Sequence, residues 1–198
     1  MDAIREVTGL ETSTEGIPVH GMLDPDILGR MMRAGGMKDD EIGDAMPAVI
    51  EAAQNLYASS VPDLRDKTCP GAAELLAELS GRGAILALVT GNLTRIGWRK
   101  LHRAGLDKYF RFGSFGEMAE TRGGLARLAI ERARAEGLIG TDSRISLIGD
   151  ARQDVEAAKE NGIRSIAVRT GITPLEELEA AVPDVMIEDL THLDISII

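Results

Sequence analysis

The chain has 198 residues, enough for one substantial core with a small appendage, and carries a formal net charge of -10. So acidic a balance excludes general affinity for nucleic acid or acidic membrane surfaces, both of which call for basic patches. The single cysteine, Cys69, excludes an internal disulfide framework, and no apolar run has the length of a membrane-spanning helix, so the expected location is the reducing cytoplasm.

Residues 1–64 show helical patterns and no strand. The patterns cover 1–7, 26–34 and 38–58, and together read as a small helical module. Pro25 suits the opening turn of the second helix with Asp24 as its N-cap, and Gly35-Gly36 stops it. Met22, Met31, Met32, Met37 and Met46 fall in this module, where their flexible side chains suit adaptable packing.

From residue 65 the pattern changes to helix and strand in alternation. Helices are predicted over 72–82, 94–104, 125–136, 154–161 and 175–181. Strands or extended segments are predicted over 84–89, 109–114, 145–148, 165–168 and 184–187. Short apolar strands separated by helices define a parallel sheet covered on both faces, an α/β fold. Gly105 and Gly162 follow helices where a left-handed C-cap is expected.

Two strand ends carry the chemistry. The run Ser146-Leu147-Ile148-Gly149-Asp150 is followed by Asp154, so two carboxylates stand at a strand's C-terminal end, where open α/β sheets bind ligands. The strand over 84–89 runs into Thr90-Gly91-Asn92, a set of residue types that is also common in plain turns. Asp154 equally suits the first turn of a helix, where the macrodipole favours negative charge. Arg95, Arg99, Lys100 and Arg103 recur at helical spacing and read as a solvated face.

These two strand ends resemble those of the haloacid dehalogenase superfamily, specifically its phosphoglycolate-phosphatase-like members. The resemblance implies a doubly wound parallel sheet in residues 65–198, with residues 1–64 as a helical cap. It also implies hydrolysis of a small phosphorylated metabolite, a phosphate monoester, with Mg2+ as cofactor. Thr90 would then hydrogen-bond the transferring phosphoryl group, with Gly91 and Asn92 assisting, since fixed donors stabilise charge spread over the equatorial oxygens. Asp150 would be a direct metal ligand and Asp154 a ligand or its orienting partner. Arg122 would offset the carboxylates and grip phosphate, with Arg127 as the competing candidate. In the segment His20-Gly21-Met22-Leu23-Asp24, Gly21 and Asp24 match the cap pattern and Met22 and Leu23 depart from it, which leaves the substrate open. His20 is a candidate substrate contact, although a lone histidine in a helical cap is more often structural.

The resemblance lacks one element. Relatives of this type attack with the first Asp of an Asp-x-Asp motif that ends an N-terminal strand, which the resemblance places between the strand ending at Thr90 and the strand ending at Asp150, and no such strand is found near Met1. The expectation is therefore that these 198 residues begin at an internal methionine of a longer phosphatase and have little or no turnover by themselves. The alternative is a non-catalytic phosphate-binding or regulatory protein that uses an exposed sheet edge to pair with a partner.

Overall fold

The computed structural model describes residues 1–198. Helices α1 (Asp2–Thr8), α2 (Asp24–Ala34) and α3 (Asp39–Ser60) form the N-terminal helical layer. Leu28, Met31 and Met32 line one face of α2 at the spacing of helical turns, and they pack with Ile4 of α1 and Val49 of α3. The same cluster takes in Leu93 and Ile96 from the sheet-bearing part, so the helical layer is seated on residues just beyond the Thr90 loop. Asp24 does not cap α2 as the sequence suggests. Leu23 occupies that position, because the Asp24 carboxylate is engaged across the molecule by the backbone N–H of Leu93.

Helix α4 (Ala72–Gly81) leads into strand β1 (Ala87–Val89), and α5 (Thr94–Ala104) connects it to β2 (Phe112–Ser114). Helix α6 (Arg122–Ala135) follows, then β3 (Ser146–Gly149), α7 (Arg152–Glu160), β4 (Arg164–Val168), α8 (Leu175–Ala180) and β5 (Val185–Ile187). All pairings are parallel, and the fold is the α/β class expected from the alternation. Strand β4 shows why both faces are covered. Ile166 packs on one side with Leu75 and Leu79 of α4, while its neighbour Ala167 packs on the other with Val155 and Leu178.

The strands form two sheets: β1 pairs with β2, and β4 lies between β3 and β5. Strand β1 is also shorter than the predicted 84–89, since regular pairing with β2 begins only at Ala87. Between the facing edges of β1 and β3 lies a cavity of about 480 Å3 that both strands line. The C-terminal residues do not add a strand there; Ile195–Ile197 form a short 3-10 turn, and Ile198 lines the cavity.

Candidate active site

Both strand ends singled out in the sequence lie beneath one segment of the helical layer. Gly21 packs against the side-chain amide of Gln153, and the Met22 carbonyl rests against Gly91, so closely that a Cβ on either glycine would overlap its neighbour. Residues 21–22 therefore bring the loop after β1 and the turn after β3 to the same side of the molecule. A cavity of about 300 Å3 lies at this junction, lined by Gly21, Met22, Arg122 and Gln153 among others.

Thr90 ends the β1 ladder, with its N–H donating to Ser114 O at 3.1 Å. Its hydroxyl oxygen accepts from the Asn92 N–H at 3.2 Å, which tightens the loop into a side-chain-closed turn. The turn reading and the functional reading of Thr90-Gly91-Asn92 are thus compatible, because the hydroxyl proton stays free to donate. Asn92 in turn bridges two half-buried charges. Its Nδ2 donates to Asp24 at 3.3 Å, and its Oδ1 accepts from Lys100 Nζ at 2.9 Å. Burial pushes the Asp24 carboxyl up from its ordinary value, against the opposing pull of the Leu93 N–H. Burial likewise pushes the Lys100 ammonium down, with Asp24 resisting. Lys100 also lies 5.6 Å from the centre of the Tyr57 ring.

Lys100 was placed by its spacing on a solvated face, together with Arg95, Arg99 and Arg103. The structure corrects this for Lys100, which turns inward to Asn92 and Tyr57, whereas Arg95 stays exposed and pairs across the surface with Glu51 at 2.7 Å and Asn55 at 3.0 Å. Periodicity shows which residues share a stripe and not what the stripe meets, and here it meets α3.

At the second strand end, Gly149 is followed by Asp150, and Asp154 folds back so closely that a Cβ at residue 149 would overlap its carboxylate. Asp154 Oδ2 accepts from the Ala151 N–H at 3.2 Å, and Oδ1 lies 3.4 Å from Arg122 Nε. Arg122 opens helix α6, whose N-cap Thr121 accepts from the Gly124 N–H at 3.0 Å. Its Nε is buried without a hydrogen-bond partner, so the contact with Asp154 is electrostatic. Burial raises the Asp154 carboxyl above its ordinary value, and Arg122 partly offsets this.

Asp150 is exposed, packs against Gly171, and faces a cavity of about 440 Å3 shared with Lys67, Cys69 and Thr170. His20 is exposed on the turn before Gly21. Lys67, Lys100 and Gln153 were not singled out as site residues in the sequence. A lysine or glutamine carries no local motif, so only the folded arrangement marks these three.

The donor set can be compared with the needs of Mg2+, which keeps several waters and takes one or two carboxylates together with phosphate oxygens. Asp150 fits that role, with an exposed carboxylate beside an open cavity. Asp154 has one oxygen on the Ala151 N–H and the other facing Arg122, which suits orientation of the turn better than direct ligation. No group of three or more His, Cys, Asp and Glu side chains gathers into a self-sufficient metal cage.

Two layers of helix around parallel strands, with ligand-type residues at the strand ends, define a Rossmann-like α/β core. A family model described as HAD-hydrolase-like matches residues 122–193. The phosphoglycolate phosphatase of Agrobacterium fabrum is 30% identical over 164 residues, covering 81% of this chain and 68% of that protein. That of Synechococcus elongatus is 32% identical over 125 residues, covering 63% of this chain and 56% of that protein. The chain belongs to the haloacid dehalogenase-like hydrolase family. Among solved structures, a β-phosphoglucomutase from Clostridium difficile shares the fold with a TM-score of 0.68 at 15% identity, covering 99% of this chain and 86% of that one. A hydrolase from Pseudomonas syringae does so with a TM-score of 0.62 at 21% identity, covering 96% and 85%. The chain spans 54% to 68% of the length of the curated relatives it matches. No helix is long and apolar enough to cross a membrane.

Proposed function

We propose that the chain carries the phosphoryl-binding and metal-binding parts of a cytoplasmic phosphatase acting on a small phosphate monoester, of the phosphoglycolate-phosphatase type. Residues 1–64 act as the cap and residues 65–198 as the core. The observation that carries this reading is the single cap segment, residues 21–24, laid over both the Thr90 loop and the turn that holds Asp154. A cap in this position excludes water and strengthens electrostatic contacts beneath it.

In this reading Thr90 Oγ1 donates to a phosphoryl oxygen, assisted by the Gly91 and Asn92 loop. Arg122 supplies fixed positive charge. Asp150 would hold Mg2+, and Asp154 keeps the β3 turn in place by accepting the Ala151 N–H. When bound, the metal neutralises charge on the phosphoryl oxygens. Lys67, beside Asp150, provides a second positive charge at the open cavity. His20, on its exposed turn, would contact substrate outside the phosphoryl pocket.

None of the five strands ends in Asp-x-Asp, so residues 1–198 alone are expected to bind phosphate with Mg2+ and to show little or no turnover. Calorimetric titration of inorganic phosphate, with and without Mg2+, tests the reading, alongside phosphate release from a panel of small monoesters. Metal-dependent binding that is lost in Asp150→Asn and weakened in Thr90→Val is the expected result. Phosphate binding that ignores both substitutions and the metal would sink it. Binding that needs Thr90 and Arg122 but no metal would favour the non-catalytic phosphate-binding alternative.

A further inference from the structure

We propose that Lys100 is a positioning residue: acting through the Asn92 side chain, it fixes the loop after β1 so that the Thr90 hydroxyl and the Gly91 N–H are held ready as donors. The identity of the ligand rests on the phosphatase reading, whereas the brace rests on the hydrogen bonds of the loop itself.

The Asn92 amide has one permitted orientation. On one side Lys100 Nζ donates to its Oδ1 at 2.9 Å, and on the other its Nδ2 donates to Asp24 Oδ1 at 3.3 Å. An ammonium can only donate and a carboxylate can only accept. A flipped amide would therefore set N–H against the ammonium and oxygen against the carboxylate. The amide stands between the two charges, so both act on its orientation, and hydrogen bonds to charged groups are the stronger kind. Lys100 is itself held from the helical layer, since its ammonium lies 5.6 Å from the centre of the Tyr57 ring of α3.

From the amide the constraint passes to the donors. The backbone N–H of Asn92 donates to Thr90 Oγ1 at 3.2 Å, which occupies a lone pair and leaves the hydroxyl proton free to donate elsewhere. Asp24 grips the residues on either side. Its N–H donates to Gly91 O at 2.7 Å, and its Oδ2 accepts from the Leu93 N–H at 2.9 Å. The Thr90 N–H goes to Ser114 O, that of Thr94 to Glu117 and that of Arg95 to Gln54. Among residues 90–95 the Gly91 N–H alone has no acceptor in the protein, although Gly91 is buried. A buried N–H calls for an acceptor, and an anion seated on the loop supplies one. The two donors left over, the Thr90 hydroxyl and the Gly91 N–H, are thus set by the residue that Lys100 orients. Lys100 acts through Asn92 and has no need to touch the ligand.

The test combines calorimetric titration of inorganic phosphate in the presence of Mg2+ with hydrogen exchange at the Asn92 amide. Lys100→Met keeps an apolar stem against Tyr57 and loses the donor and the charge. It is expected to weaken phosphate binding ~10-fold and to quicken Asn92 exchange by a similar factor. Lys100→Arg keeps a charged donor that can lie over the ring, and is expected to return both readouts to near the wild-type values. A second arm exchanges amide and carboxylate and stands even where Lys100→Met fails to fold. Asn92→Asp sets two carboxylates face to face and is expected to weaken binding. Adding Asp24→Asn rebuilds every contact with the roles reversed, because the amide now at 24 donates to the carboxylate now at 92, which accepts from Lys100. The pair is expected to recover most of the lost affinity.

Unchanged phosphate affinity in Lys100→Met, in a wild type that binds phosphate, would overturn the inference and leave the phosphatase reading standing. Losses restored neither by Lys100→Arg nor by the exchanged pair would reduce Lys100 to a packing residue and likewise overturn it. A wild type that binds no phosphate, while Asn92 exchange still answers to Lys100→Met and Lys100→Arg, would support the brace and sink the phosphatase reading.

Discussion

Arg122 Nε lies 3.4 Å from Asp154 Oδ1, and each of the two side chains is only 13% exposed. The pair joins the start of α6 to the start of α7 at the end of β3, so one charge contact holds the acidic turn against the helix beside it. Glu120, Glu156 and Glu160 line the neighbouring cavity and add to the negative potential that Arg122 offsets.

Removing the positive partner leaves Asp154 buried and uncompensated. Arg122→Ala is expected to cost about 3 kcal/mol of unfolding free energy, the usual scale for a broken buried pair. Adding Asp154→Asn should recover part of that loss, because an amide keeps an acceptor for the Ala151 N–H and carries no charge. Urea denaturation of the wild type, the two single variants and the double variant measures the coupling. Strictly additive losses would show that the two side chains do not act as a pair.

Asp24 gives a pH dependence with a definite sign. Burial raises its folded value above the ordinary 3.8, so the native chain holds this proton more tightly than the unfolded chain does. Its contribution to stability is present below 3.8 and is lost as pH rises through the folded value. Asp107, Asp184, Asp189 and Asp194 are shifted the other way by hydrogen bonds, so the total profile mixes both slopes. The difference between wild type and Asp24→Asn isolates the one residue. Urea midpoints over a pH series should show the wild type losing ground to Asp24→Asn as pH rises above 3.8, and parallel curves would contradict the assignment.

The strand ends were legible in the sequence because their signals are local: an apolar run, then Gly-Asp or Thr-Gly-Asn. The alternation of helix and strand was legible for the same reason, and α5 was bounded at 94–104 as observed. What stayed hidden depends on distant partners. Asp24 reads as a helix cap from its neighbours, yet its carboxylate is taken by Leu93, 69 residues away. Lys100 sits in a stripe of basic residues, and only the packing of α3 against α5 turns it inward to Tyr57. The division of the sheet between β1 and β3 is a different case, because the resemblance implied it and the strands' own residues did not. Each strand's own sequence suits an interior position and does not say which neighbour it meets.

Two glycines should respond to alanine with opposite signs. Gly91 is pressed against Met22 O and lies near Leu23 Cα, so Gly91→Ala must push the residue 21–24 segment off the Thr90 loop. The expected cost is about 2 kcal/mol, typical of overpacking, with weaker phosphate binding alongside. Gly43 sits inside α3 with nothing within 4 Å of a new Cβ. Gly43→Ala should therefore stabilise the chain by up to ~1 kcal/mol through helix propensity and reduced unfolded-state freedom. Thermal melts of the pair read both signs in one experiment, and a destabilised Gly43→Ala would refute the open placement of that residue.

The N-terminus of α5 is held by side chains from three separate elements, which ties the Thr90 loop to its surroundings. Asp24 of α2 accepts from the Leu93 N–H at 2.9 Å, Glu117 from the Thr94 N–H at 2.9 Å, and Gln54 of α3 from the Arg95 N–H at 2.8 Å. Free N–H groups at a helix start need acceptors, and no local Ser, Thr or Asp supplies one here. Gln54 is the most consequential of the three, since it is only 7% exposed and water cannot readily replace it. Gln54→Ala is expected to cost about 1–2 kcal/mol, and Glu117→Ala, at an exposed contact, about 0.5–1 kcal/mol. Exchange of the Arg95 amide should quicken in Gln54→Ala and that of Thr94 in Glu117→Ala, each with little change at the other. Quickening of both amides together in either variant would mean that the helix start opens as one unit, and the three contacts would then have to be read as a single cooperative latch between the helical layer and the Thr90 loop.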